Sequence, residues 1–351
     1  MNILIVKLSA IGDVIHTLPA ANSLRAHFPE ARLTWLVEEA AAPLVIDHPA
    51  LDRVLVSRRK TWLRQIRSGA APKALRDALA FIRQLRDTRY DLILDFQGLL
   101  KSGLLIGLAR GGRKIGFGRG MQHQEHSYLF LNERLPAVSM EIHALERNLL
   151  MLEPLGITSS TVSYQLPVTG PDRDQARLLT GRPAGEKTGP MVAINPVAKW
   201  DTKLWETDKF ARLADILGQR GWKIIFTGDG NDREVIEQIS AAMRQPAVNL
   251  AGQTTLRELA ALYEQADLVI STDTGPMHLA AAVGAPVVAL FGPTAPWRTG
   301  PYGDRHQVVR KPLSCSPCYQ RACRTRECLR SITVEEVLTA VNELNGRLAG
   351  T

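Results

Sequence analysis

Apolar residues follow two rhythms along this chain. Short unbroken runs, "NILIVKL" from residue 2, "RLTWLVEE" from residue 32 and "YDLILDFQG" from residue 90, alternate with longer stretches whose apolar positions recur every three or four residues. The runs predict strands buried on both faces, and the longer stretches predict amphipathic helices. One helix follows the turn "SAIGD" and carries Val14, Leu18, Ala21 and Leu24 on one face; a second, "ALRDALAFIRQLRD", sets Leu79, Phe81, Ile82 and Leu85 along one stripe. Around residues 167 to 190 the text turns rich in Pro, Gly and charge, which predicts a domain boundary, placed at 175, with a short helix in its middle.

The second half restarts the same grammar. "MVAIN", "WKIIFTG", "DLVIST" and "PVVALFG" predict strands; "ETDKFARLADILGQRG", closed by Gly221, and "GPMHLAAAVG" predict helices. Asn231 with Glu234, Thr255 with Glu258 and Thr333 with Glu336 have the spacing of capping boxes. Alternating strand and helix implies two α/β domains, residues 1–175 and 176–351, each with a doubly wound parallel sheet, and a ligand cleft at the carboxyl ends of the strands.

Composition supports this picture and narrows the function classes. With 351 residues, 45% apolar and 22% charged, the chain is long enough for two cores. Lys7 and Asp13 interrupt the apolar N-terminus, no cleavage site follows, and no run approaches about 18 apolar residues, so a cytoplasmic protein is expected. The net charge of +8 gathers in clusters, one at Arg58, Arg59, Lys60 and Arg64 and another through Arg310 to Arg330. Such clusters suit an acidic substrate or anionic lipid. No basic helix interleaved with stacking aromatics appears, so nucleic acid is not expected. All four cysteines, Cys315, Cys318, Cys323 and Cys328, fall in "CSPCYQRACRTRECLR". Reduced thiols packed in a loop are the favoured reading, and a metal or disulfide clasp is the alternative.

In a parallel sheet the turns that directly follow strands carry the chemistry. The first is "KLSAIGD", where Gly12 permits a tight turn and Asp13 is either a helix cap or a general base. It lacks both the dinucleotide fingerprint and a Walker lysine. The second is "STDTGPMHLAAA": Asp273 could accept from sugar hydroxyls, Thr274 and Gly275 open a helix suited to a diphosphate, and His278 follows one turn later. The third is "NPVAKWDTKLW", where Lys199 and Lys203 could neutralise a leaving phosphate.

Together "ILIVKLSAIGDVIHTLPA", "VEE", "YDLILDFQGLLKSGLL", "DTKLW" and "STDTGPMHLAAAVGAPVVALFGPT" resemble the bacterial lipopolysaccharide heptosyltransferases, the type I enzymes above all. The resemblance implies a GT-B glycosyltransferase with an acceptor-binding first domain, a donor-binding second domain and a final helix packing back on the first. It implies inverting transfer of L-glycero-D-manno-heptose from ADP-heptose to Kdo, with no cofactor or metal, by a monomer peripheral to the cytoplasmic face of the inner membrane. Asp13 matches the catalytic carboxylate, Lys203 the diphosphate lysine, and Asp273, Thr274 and Gly275 the turn that holds heptose and phosphates. Asp232, or Glu234 instead, falls near the ribose ligand, and Thr254 near the adenine edge. Acceptor contacts, from Kdo-lipid A or a related anionic core, would come from Ser9, Gly12, Gln97, Lys101 and the arginines around 58 to 64. Two departures from type I, Ala198 with Lys199 in place of a threonine pair and the cysteine-rich insert, leave a later heptose as the alternative acceptor. A non-catalytic nucleotide-sugar binder and a thiol-based metal-binding module are the rivals from other classes.

Overall fold

The computed structural model describes residues 1–121, 125–158, 161–182 and 189–349. The chain divides into two units, Met1–Pro167 and Val168–Thr351. In the first, six parallel strands, β1 (Asn2–Val6), β2 (Arg32–Glu38), β3 (Arg53–Ser57), β4 (Arg89–Asp95), β5 (Arg110–Phe117) and β6 (Glu133–Leu135), take the order β3-β2-β1-β4-β5-β6. The second repeats this plan with β7 (Met191–Asn195), β8 (Lys223–Phe226), β9 (Ala247–Asn249), β10 (Leu268–Thr272), β11 (Val287–Phe291) and β12 (His306–Arg310), in the order β12-β11-β10-β7-β8-β9. Each sheet reverses its winding once, between β1 and β4 and between β7 and β10. Loops leaving those strands diverge there, and a ligand can enter.

The central strands form because their apolar runs are covered on both faces: β7, β10 and β11 are buried at every residue. Several strands lack that signal. β5 reads "RGGRKIGF", and its glycines are needed for packing: a Cβ at Gly111 would lie 2.6 Å from Ile93 Cδ1, and one at Gly116 2.8 Å from Leu131 Cδ1. In the stripe expected on the helix Ala71–Arg86, Phe81 and Leu85 are buried, but Leu79 is 44% exposed.

The unit boundary precedes the expected residue 175. The helix Gly170–Thr180, capped by Thr169 and Asp172, belongs wholly to the second unit, where Arg173 pairs with Glu264 at 2.7 Å. Residues 183–188 of the expected boundary segment lie outside the described residues. The final helix, Val334–Ala349, was expected to pack back on the first domain. Its Val337, Val341 and Leu344 belong to the second unit's own core, beside Phe210 and Leu213.

Candidate active site

In the first unit the turn after β1 is pinned from below by β4. Gln97, two residues past β4, accepts through Oε1 from the Leu8 and Ser9 N–H groups at 2.8 and 2.9 Å. This fixes the path into the short helix Ile11–Ile15, which carries Gly12 and Asp13. Asp13 Oδ2 accepts from the Ala10 N–H at 2.9 Å. The cap therefore uses one carboxylate oxygen, and the other has no partner among the described residues, so capping and base chemistry are compatible in one side chain.

Lys101 links the remaining pieces. Its ammonium donates to Ser9 Oγ at 2.7 Å and to Glu38 Oε1 at 2.9 Å, and Arg59 lies 3.6 Å from the same Glu38 oxygen. Ser9, Gln97, Lys101 and Arg59 thus join one network. Arg58 pairs with Glu39, at 3.9 Å, and not with Glu38, while Lys60 and Arg64 stand exposed on the helix Arg59–Arg67 with no ion pair among the described residues.

Three members of this site escaped sequence reasoning. Glu38 is buried at the end of β2 and holds both cations. Lys7 is buried, donates to the Phe96 carbonyl at 2.8 Å, and has its pKa lowered by burial against the opposing pull of Asp13 and Asp95. Asp95 accepts from the Gln97 and Gly98 N–H groups, both at 3.1 Å, yet burial pushes its carboxyl up. The available signal was a charge at the C-terminal end of an otherwise apolar run, a position where burial is tolerated only with partners.

In the second unit Asp273 follows β10 and is almost wholly buried. Its Oδ2 meets Lys203 Nζ at 2.6 Å and accepts from Thr294 Oγ1 at 2.5 Å. The loop after β7 is held down by Thr272 Oγ1 donating to the Val197 carbonyl at 2.8 Å, which brings Lys203 over this switch point. Thr274 and Gly275 open the helix Gly275–Ala282 with no side-chain cap, leaving its first N–H groups available to an anion. His278 is buried inside that helix, and Lys199 is exposed, with no bond to the Asp273 cluster among the described residues.

A feature the sequence concealed lies beside Lys203. Its ammonium stands 4.6 Å from the centroid of the Trp200 ring, and the Arg321 guanidinium stands 4.9 Å from the same ring. Arg321 comes from the cysteine loop, which is bonded to this part of the unit throughout. Cys318 and Tyr319 donate to the Pro293 carbonyl at 3.0 and 2.8 Å, and Thr202 Oγ1 donates to the Gln320 carbonyl at 2.8 Å.

All four cysteines are free thiols, and no group of three or more His, Cys, Asp or Glu among the described residues is placed to hold a metal. Hydrogen bonds from Cys318, Tyr319 and Thr202 tie the loop to its neighbours, and the metal or disulfide clasp stays the alternative expectation. The thiols differ in character. An N–H from Arg326 and the Thr325 hydroxyl hold the Cys323 thiol below its usual range, while burial and the other three sulfurs push Cys328 up.

At the far edge, Asp232 Oδ2 accepts from the Asp229 N–H at 2.7 Å, and burial raises its pKa. The cap is thus the pair Asp229 and Asp232, not Asn231 and Glu234, and Glu234 points to solvent one residue into the next helix. Gly252 donates to the Gly228 carbonyl at 3.0 Å, so the loop carrying Thr254 lies against the loop carrying Asp232. The other two expected boxes form, Thr255 with Glu258 and Thr333 with Glu336.

Two switch-point sites, one built around a carboxylate with an open oxygen and one around a buried acid, a lysine and a helix start, suit sugar transfer from a diphosphate donor. Residues 78–329 match the model of glycosyltransferase family 9 (heptosyltransferase). The chain belongs to glycosyltransferase family 9. It is 30% identical to lipopolysaccharide heptosyltransferase 1 of Pseudomonas aeruginosa, over 92% of this chain and 87% of the relative. It is 29% identical to lipopolysaccharide heptosyltransferase 3 of Escherichia coli K12, over 95% of each. Among solved structures it is similar to the E. coli heptosyltransferase WaaC with ADP, with a TM-score of 0.77 and 27% identity over 98% of this chain and 100% of that one. This family 9 enzyme is a glycosyltransferase of GT-B fold, and the matched span ends just past its last cysteine.

Proposed function

We propose that this glycosyltransferase moves L-glycero-D-manno-heptose from ADP-heptose to Kdo of the lipopolysaccharide inner core, with inversion at the anomeric carbon. Asp13 takes the proton from the Kdo hydroxyl as its oxygen bonds to the heptose C1. The bond from C1 to the diphosphate oxygen breaks, and ADP departs with the electron pair. Lys203, the N–H groups at Thr274 and Gly275, and Arg321 across the Trp200 ring oppose the charge that develops on ADP. Asp273 orients Lys203 and accepts from heptose hydroxyls; Asp232 and Thr254 face the ribose and adenine. Ser9, Gln97, Lys101 and Arg59 receive the acceptor's carboxylates. None of these roles calls on a metal or cofactor.

The observation that carries this reading is the Lys203–Asp273 pair at an uncapped helix start, in a family 9 chain similar to a heptosyltransferase with ADP. No helix among the described residues is long and apolar enough to cross a membrane. In this reading the enzyme works as a peripheral protein at the cytoplasmic face of the inner membrane, because its acceptor is lipid-linked and its basic clusters suit an anionic surface.

The test is ADP release from ADP-heptose in the presence of Kdo-lipid A, against a control without acceptor. Asp13→Asn is expected to lower kcat by roughly 100-fold or more with ADP affinity unchanged; an unaltered kcat removes Asp13 from the base role. The cysteine loop and the likeness to heptosyltransferase 3 favour a second reading, addition of a later heptose. Acceptors ending in Kdo or in heptose separate the two readings.

A further inference from the structure

One face of the first unit is built unlike the rest of the surface. The helices Arg59–Arg67, Ala71–Arg86 and Leu100–Leu108 form a layer over one side of its sheet, anchored by Trp62, Phe81, Leu85 and Ile106 in a single core. The outside of that layer is apolar where solvent would normally demand polar residues. Leu63, Ile66, Leu75, Leu79, Leu104 and Leu108 are all exposed, Leu75 at 62% and Leu104 at 51%. This layer holds about half of the large apolar side chains left exposed among the described residues. The helix Arg59–Arg67 buries no residue at all, so its Leu63 and Ile66 are not spent on the fold.

The same layer is strongly cationic. Between Arg58 and Arg86 nine lysines and arginines meet a single acid, Asp77. Arg64, Arg67 and Lys73 have no ion pair among the described residues. A second copy of the chain docking by two-fold symmetry would set this charge against itself. Nucleic acid would match the charge but would leave the exposed leucines in water. An anionic bilayer surface meets both demands: phosphate headgroups take the arginines, and the acyl boundary takes the leucine side chains.

We propose that this helical layer is the membrane-docking face, and that its partner is a bilayer rich in anionic phospholipid. The proposal rests on the reading above insofar as a lipid-linked acceptor gives docking its purpose. The geometry adds a reason of its own: Leu100 and Leu104 share a helix with Lys101, the residue that ties Ser9 to Glu38. The docked face therefore runs into the acceptor site.

The experiment is co-sedimentation of the full chain with vesicles of equal parts phosphatidylglycerol and phosphatidylcholine, and with vesicles of phosphatidylcholine alone. Wild type is expected to partition onto the anionic vesicles and to be released by high salt. Ile66→Asp and Leu104→Asp are each expected to lower that partition about tenfold, with unaltered transfer to a water-soluble acceptor lacking acyl chains, which shows that the variants fold. Equal partition of the variants and wild type, or no preference for the anionic vesicles, overturns the docking face. So does a wild-type dimer that Ile66→Asp converts to a monomer, since a second copy is then the occupant. Soluble-acceptor transfer that persists without vesicle binding sinks this inference alone, whereas its absence in wild type sinks the functional reading and leaves the vesicles to judge the docking face.

Discussion

Asp273 keeps a carboxylate where almost no water reaches it, and it can do so only because Lys203 and Thr294 supply what water would. Lys203→Ala removes the larger of those two partners. It should cost about 3 kcal/mol of stability, the lower end for a broken buried pair because the ammonium is partly exposed, and it should also weaken ADP binding. Asp273→Asn in the same background should return much of the stability and none of the ADP affinity, a separation that thermal melting with calorimetric titration would read. Arg321 makes a different claim. It has no ion pair among the described residues, so Arg321→Ala should raise the Kd for ADP about tenfold and leave adenosine binding alone. Equal loss for both ligands would mean that Arg321 only shapes the loop. The thiols grade by environment as well. Iodoacetamide should label Cys323 first and Cys328 last in the native protein, as read by peptide mass spectrometry.

At the scale of elements, what could be read in advance was whatever depends on neighbours along the chain. The strands "MVAIN", "DLVIST" and "PVVALFG", and two of the three capping boxes, appear where the pattern put them, because burial on both faces and i to i+3 capping are local signatures. The third box failed by two residues. Asn231 and Asp229 both precede an acid by three, and the turn that forms is the one in which Gly252 packs closely against Gly230, a contact made by residues distant along the chain. β5 was illegible for a related reason: its glycines answer to Ile93 and Leu131, which are remote in sequence. Gly116→Val should therefore destabilise the first unit by roughly 2 kcal/mol through overpacking, although valine has the higher strand propensity. A denaturation curve that shifts toward higher denaturant would refute that account.

Across the whole molecule, two units repeat one winding, and each places its polar residues after the strands that flank its own switch point. The second unit also carries a pH liability in His306 on its edge strand, whose pKa burial depresses from 6.5 to about 4. The unfolded chain then takes the proton first as the pH falls. Stability should drop by about 2 kcal/mol between pH 6.5 and 4, and His306→Gln should lack that drop in a series of thermal melts. By itself the sequence determined the α/β class, the two-domain plan and the turns bearing Asp13, Lys203 and Asp273, because each depends on periodicity or on a residue directly following a strand. The tertiary structure alone decided which charges meet. Glu38, Lys7, Asp95 and Arg321 gain their roles from partners distant in the chain, and helix periodicity could not distinguish a leucine facing the core from Leu79 or Leu104 facing out. A charge or an apolar side chain acts on whatever lies within a few ångströms, and only the folded chain sets that neighbourhood.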